Sequence, residues 1–177
     1  GIRQSRLYAI SAGIGFDALV CELALHAKLK TFLNRIGLGK LVYLILTVKS
    51  MRALQVQDAY IEFEGGESYE LKDMVFAAAM NQPYEGGGVP MAPDAKNDDG
   101  LLSVIFVEDI PKKKMPRMLL RLLLKKHKKI QGLRLKDTKS VRIHSDTPLV
   151  VHSDGEFCGY RTDIRFAAEK GKLRILC

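Results

Sequence analysis

The chain has 177 residues, enough for one ordinary domain, and 47% of them are hydrophobic against 27% charged, which excludes a disordered or collagen-like polymer. Lys and Arg number 28 against 20 Asp and Glu, a formal charge of +8, so an anionic partner is expected somewhere on the molecule. Cys21, Cys158 and Cys177 are odd in number and form no CxxC pair, which excludes a disulfide framework and a cysteine zinc site and points to a reducing, cytoplasmic setting. No apolar run approaches the roughly 20 residues of a bilayer helix, and no signal peptide is visible, so membrane spanning is not expected.

In chain order, Arg6 to Ser11 alternates and predicts a short strand that ends at a Gly13-Ile14-Gly15 turn. Phe16 to Lys30 has helical apolar spacing with Asp17 near its start, and a break at Asn34 to Gly39 precedes a second helix from Lys40 to Leu54. The period then changes. Gln55 to Glu64 and Ser68 to Met80 predict a hairpin around Gly65-Gly66. Asn81 to Gly100 holds seven Gly or Pro residues and is long enough to be a functional loop. Leu101 to Val107 predicts a strand, Met115 to Lys129 a basic amphipathic helix, and Val141 to Ile143, Leu149 to His152, Tyr160 to Ala167 and Leu173 to Leu176 further strands. Helices first and mostly antiparallel strands afterwards argue for an α+β fold, a β-sandwich or rolled sheet with a few helices.

Three features can carry chemistry. Gly86-Gly87-Gly88 permits positive φ and close approach of a ligand, and its N–H groups can cradle an anion; the alternative is a loose turn. Farther along the same loop, Asp98-Asp99-Gly100 clusters carboxylates that can hold a hard cation, or it is an Asp-Gly turn. Asp154-Gly155-Glu156 offers two carboxylates for a shared metal or a general base, again against a hairpin turn. The histidines His26, His127, His144 and His152 show no ligand spacing, and no Walker A, GxGxxG or GxSxG motif occurs.

The charge is local. Twelve cations between Pro111 and Lys139 face only Asp137, so this segment nets +11 and the remainder −3. Arg117, Arg121, Lys125 and Lys128 or Lys129 predict one basic stripe, with Met115, Met118, Leu119, Leu122 and Leu123 on the opposite face covering the sheet. Such a stripe is either solvated or drawn to an anionic membrane surface. Nucleic acid is not expected, because no aromatics interleave with the cations and the chain has no Trp.

The order of these signals is more specific than any one of them. Gly15-Phe16-Asp17-Ala18, Leu38-Gly39-Lys40-Leu41-Val42-Tyr43, Asn81 through the glycine triplet to Met91-Ala92-Pro93-Asp94-Ala95, Asp99-Gly100-Leu101-Leu102 and Asp154-Gly155-Glu156 together resemble the diacylglycerol kinase catalytic superfamily of bacterial lipid, sphingosine and ceramide kinases. The resemblance covers nearly the whole chain but only the C-terminal part of the family; the Gly-Gly-Asp-Gly-Thr signature of the nucleotide-binding half is not in this sequence.

What the resemblance implies is a lipid-kinase C-terminal domain over residues 1–177, forming one wall of a cleft, with ATP bound mainly by the other half and Mg2+ as the metal. Glu156 matches the general base toward a diacylglycerol-like hydroxyl, assisted by Asp154. Asp99 and the Leu101 carbonyl, with Asp98, match a metal site, and Gly86, Gly87, Gly88 and Pro93 match the substrate loop. The expected partners are a lipid substrate and an anionic inner-membrane surface, with peripheral attachment and a homodimer left open. This part alone is expected to be inactive, since phosphoryl transfer depends on positioning and charge neutralisation around the nucleotide. The competing class is a non-catalytic module that docks on anionic membrane or nucleic acid through Lys112 to Lys139. Kinase action on a soluble polyol or NAD-like substrate has only fold analogy behind it.

Overall fold

The computed structural model describes residues 5–25, 39–86 and 88–169. Among the described residues eight strands and three α-helices follow one another as β1 (Ser11–Gly15), α1 (Phe16–Leu25), α2 (Gly39–Ala53), β2 (Gln57–Phe63), β3 (Ser68–Met74), β4 (Phe76–Met80), β5 (Leu102–Val107), α3 (Met115–Leu123), β6 (Leu133–Thr138), β7 (Ser140–Ser153) and β8 (Glu156–Ala167). Every strand pairing is antiparallel, in the order β3-β2-β7-β1-β4-β5-β6, with β8 on the other edge of β7. This is the α+β, sandwich-like architecture expected from the order of elements.

The sheet curls on itself. Phe63 at the end of β2 and Tyr69 of β3 meet Phe106 of β5, with ring centroids 6.0 and 5.7 Å apart, although β2 and β5 are separated by three strands in the sheet. The enclosed face buries Ile14, Ile61, Leu71, Val104, Phe106, Val141 and Ile143. Alternation then sends Phe76, Ala78 and Met80 of β4 and Ile105 and Val107 of β5 to the outer face, where Phe16, Met51, Met115, Met118 and Leu122 of the helices, with Leu54 just after α2, cover them. β4 and β5 are therefore buried on both faces and read as unbroken apolar runs.

Several expectations shift. β1 occupies Ser11–Gly15 rather than Arg6 to Ser11, so Gly13-Ile14-Gly15 is a buried central strand between β4 and β7 and not a turn. Its Gly, Ala and Ser residues carry too little side chain for alternation to register. The hairpin at Gly65-Gly66 forms, but its second arm divides at Val75: Asp73 adopts φ 47°, β3 stays with β2, and β4 crosses to β1 and β5. Along α2, Leu46 and Met51 are buried while Ile45 and Val48 are exposed.

Near the C-terminal end, α3 stops at Leu123, short of Lys129. The Lys126 N–H bonds to the Arg121 carbonyl and the Lys125 N–H to the Leu122 carbonyl, closing the helix with Lys125 at φ 54°. β6 is a strand where none is expected, because its Leu-Arg-Leu-Lys run lies inside the basic segment. β7 is one strand where two were expected, with a register shift between His144 and Leu149 beside Pro148. The expected extension of the first helix past Leu25 and the strand Leu173 to Leu176 lie outside the described residues.

Candidate functional site

Ser11 is the junction of the site. At the N-terminus of β1 it is fully buried, and its Oγ donates to Glu85 Oε1 at 2.6 Å. Its carbonyl accepts the Asp154 N–H at 2.8 Å, and its own N–H donates to Asp154 Oδ1 at 3.1 Å. One residue thus ties the base of the glycine-rich hairpin to the turn that carries Asp154 and Glu156.

Asp154 sits at φ 49° in the tight β7–β8 turn, followed by Gly155 at φ 80°. Its carboxylate accepts three backbone N–H groups: Ala9 on Oδ2 at 2.8 Å, and Ile10 at 2.8 Å with Ser11 on Oδ1. Both oxygens therefore hold residues 9–11 against the turn. Asn81 fastens the same segment from the other side, donating its Nδ2 to the Ala9 carbonyl at 2.9 Å and its backbone N–H to that of Ile10 at 2.8 Å. Glu156 opens β8 on the exposed side of the turn and forms an ion pair with Arg6, itself exposed. The turn is built to present Glu156 to solvent while Asp154 serves its geometry.

Gly86 and Gly88 lie at the tip of a small hairpin, with Glu85 and Val89 as its bridging pair. The Gly88 and Val89 N–H groups both donate to the Glu85 carbonyl, at 3.1 and 2.8 Å, so neither belongs to an anion cradle. Gly86 and Gly88 adopt φ 23° and 90°, and a Cβ built on either would touch nothing. Their small size is required by the backbone, and it leaves the tip open to an approaching molecule. Gly87 lies outside the described residues, and Pro93 is half-buried where the loop descends onto the core through Met91, Ala92 and Ala95.

Beneath this surface is a cluster that sequence reasoning missed. His152 is fully buried in β7, and its Nε2 lies 2.9 Å from Asp17 Oδ2 and 3.4 Å from Glu85 Oε1. Gly13 makes this packing possible, since a Cβ there would stand 2.3 Å from Asp17 Oδ2 and 2.8 Å from His152 Nε2. Burial alone lowers the imidazole pKa, but Asp17, then Glu85 and Asp154, outweigh it and raise His152 to about 9. Burial, with the neighbouring Asp17 charge, pushes the Glu85 carboxyl up.

Among the described residues this is the one group of three His, Cys, Asp or Glu side chains able to share an ion. As an imidazolium, His152 already supplies the positive charge that the carboxylates need. Its Nδ1 is buried without a partner, so the supporting hydrogen bond usual for a metal-bound histidine is missing. The signal in the sequence was His152 itself, a polar residue directly after the apolar run Leu149 to Val151 and two residues before Asp154.

Asp98, Asp99 and Leu101 lie at the far end of the loop, where Asp99 Oδ1 accepts the Leu101 N–H at 2.8 Å and closes the turn into β5. Asp98 and Asp99 are exposed. Their donors are all oxygen, which fits a hard cation such as Mg2+, whereas an imidazole nitrogen does not. Close by, Asp94, Ser103, Lys136 and Asp137 line a hollow of about 110 Å³, smaller than the few hundred Å³ usual for a ligand pocket. No described helix is long and apolar enough to cross a membrane.

Comparison with known proteins places this arrangement. Residues 10–177 match the family model described as the YegS C-terminal NAD kinase beta sandwich-like domain. The chain is 29% identical over 163 residues to the “Putative lipid kinase YtlR” of Bacillus subtilis (strain 168), a match covering 92% of this chain and 52% of that protein. It is 24% identical over 157 residues to a “Diacylglycerol kinase” of Staphylococcus saprophyticus, covering 89% of this chain and 49% of the relative. The crystal structure of a “putative diacylglycerol kinase” from Bacillus anthracis str. Sterne shares the fold at a TM-score of 0.61 and 20% identity, covering 93% of this chain and 51% of that one. The chain spans about half the length of the curated relatives it matches. With the match running from the first strand to the last residue, the chain belongs to the YegS C-terminal NAD kinase beta sandwich-like domain family, within the diacylglycerol kinase-like superfamily.

Proposed function

We propose that this domain is the substrate-binding, base-donating part of an ATP-dependent lipid kinase that phosphorylates a hydroxyl of a diacylglycerol-like lipid. The observation that carries the reading is the Ser11 junction, which holds the open glycine hairpin and the Glu156 turn on one rigid segment. A lipid hydroxyl resting against the hairpin has a carboxylate within the same surface, and Glu156 takes its proton as the oxygen attacks the γ-phosphate. Asp154 fixes the turn that aims Glu156, and Arg6 holds the glutamate in place before substrate arrives. Asp98, Asp99 and the Leu101 carbonyl are the residues here that would hold a structural divalent ion, and Mg2+ accompanying ATP would supply neutralisation of phosphate charge. ATP belongs to the other wall of the cleft.

The test is Glu156→Ala in the longer kinase that carries this domain. Turnover is expected to fall by at least roughly 10²-fold, the scale of a lost general base, with ATP affinity unchanged. Retained lipid phosphorylation would remove Glu156 from the mechanism.

A further inference from the structure

α3 has two apolar faces. Met115, Met118 and Leu122 are buried against the outer face of the sheet, which fixes the helix rigidly. The side turned to solvent also carries leucines: Leu120, Leu123 and Leu124 are 55, 50 and 53% exposed and follow one another at i, i+3 and i+4. Lys113, Lys114, Arg117, Lys125, Lys126 and Lys128 surround them, all exposed, and no acidic residue occurs between Ile110 and Lys136.

This surface continues into the glycine hairpin. Lys125, turned back by the helix-ending geometry, donates to the Tyr84 hydroxyl at 2.8 Å and lies 5.2 Å from its ring centre. Tyr84 is itself 46% exposed and directly precedes Glu85. On the buried side, His127 Nε2 contacts the Pro90 carbonyl at 2.8 Å, which ties the segment after α3 to the loop.

Exposed leucines and a tyrosine inside a belt of cations suit a bilayer interface with anionic headgroups: the leucines enter the acyl boundary, the aromatic ring sits at headgroup depth, and the cations meet the phosphates. A second copy of the chain would bring like charges together around the leucines. A nucleic acid has no use for them. We propose that Tyr84, Leu120, Leu123 and Leu124 dock on an anionic bilayer, placing the mouth of the glycine hairpin at the lipid surface. The proposal deepens the lipid-kinase reading and rests on it for its purpose, but vesicle binding is measured without phosphoryl transfer, so either can fail alone.

The chain contains no Trp, so Leu123→Trp supplies a single reporter. With vesicles of phosphatidylcholine and phosphatidylglycerol, its emission is expected to shift to the blue and to be quenched by brominated acyl chains, with neither effect on pure phosphatidylcholine. Leu120→Gln/Leu123→Gln/Leu124→Gln is expected to weaken sedimentation with the anionic vesicles by roughly tenfold or more, with the circular dichroism spectrum unchanged. An unshifted tryptophan on fully bound protein would overturn the proposal. So would binding that depends on the cations but not the leucines, equal binding to duplex DNA at the same salt, or concentration-dependent self-association that buries the reporter without lipid. If the triple variant fails to fold, the tryptophan measurement decides alone.

Discussion

His152 shows how a single residue can acquire a role that its neighbours in sequence do not suggest. Its imidazolium is favoured in the fold, with a pKa of about 9 against an ordinary 6.5, because Asp17 and Glu85 outweigh the cost of burial. Stability from this residue is therefore fully present below about pH 6.5 and is lost as pH rises through 9, a total on the order of 3 kcal/mol at most. Urea midpoints measured across that window should fall with rising pH in the parent chain and stay flatter in His152→Gln; parallel curves would remove His152 as the titrating group. Asp17 stood out in the sequence as a helix-start acid and as a member of the Gly15-Phe16-Asp17-Ala18 run, and Glu85 did not stand out at all. Nothing in linear spacing brings positions 17, 85 and 152 together. Asp154 and Glu156, by contrast, were legible as a pair because a tight Asp-Gly turn holds both within three residues, although which of them faces solvent was not.

At the level of elements, the end of α3 departs most clearly from what helical periodicity implies. The apolar and basic residues continue the pattern to Lys129, yet the helix closes at Leu123 with Lys125 in the left-handed region. Holding an L-residue there costs about 1–2 kcal/mol, while glycine adopts it freely. Lys125→Ala removes the Tyr84 contact and keeps the strain, whereas Lys125→Gly removes both. Thermal melts should therefore place the Gly variant about 1 kcal/mol above the Ala variant, and equal stabilities would mean that the turn relaxes. β6 reverses the usual reading of a basic run. Arg134 stacks 5.0 Å from the Tyr69 ring centre and pairs with Glu108 at 2.8 Å, and Lys136 lies 4.6 Å from that of Phe63 and pairs with Glu67. Leu135 between them is exposed. Two of the twelve cations of the basic segment thus cover the mouth of the curled sheet, as cations on edge strands do, and do not join the patch on α3.

For the molecule as a whole, the adjacency of β7, β1 and β4 puts the site on one surface, and the sheet that carries it closes on itself. Phe106 is the contact where the curl meets itself, touching Phe63 and Tyr69 from β5. Phe106→Ala is expected to cost about 3–5 kcal/mol, with the near-ultraviolet dichroism of the aromatic cluster lost; a loss under about 1 kcal/mol would show that the ladder alone maintains the curl. The sequence by itself determined the α+β class, the Gly65-Gly66 hairpin, the concentration of charge and the family, because these rest on local alternation, turn chemistry and motif order. Tertiary structure alone decided the central place of β1, the division of β3 from β4, the edge strand β6 and the outward leucines of α3. In each case the deciding term is which face of an element meets the rest of the sheet, and that depends on contacts between residues far apart in the chain.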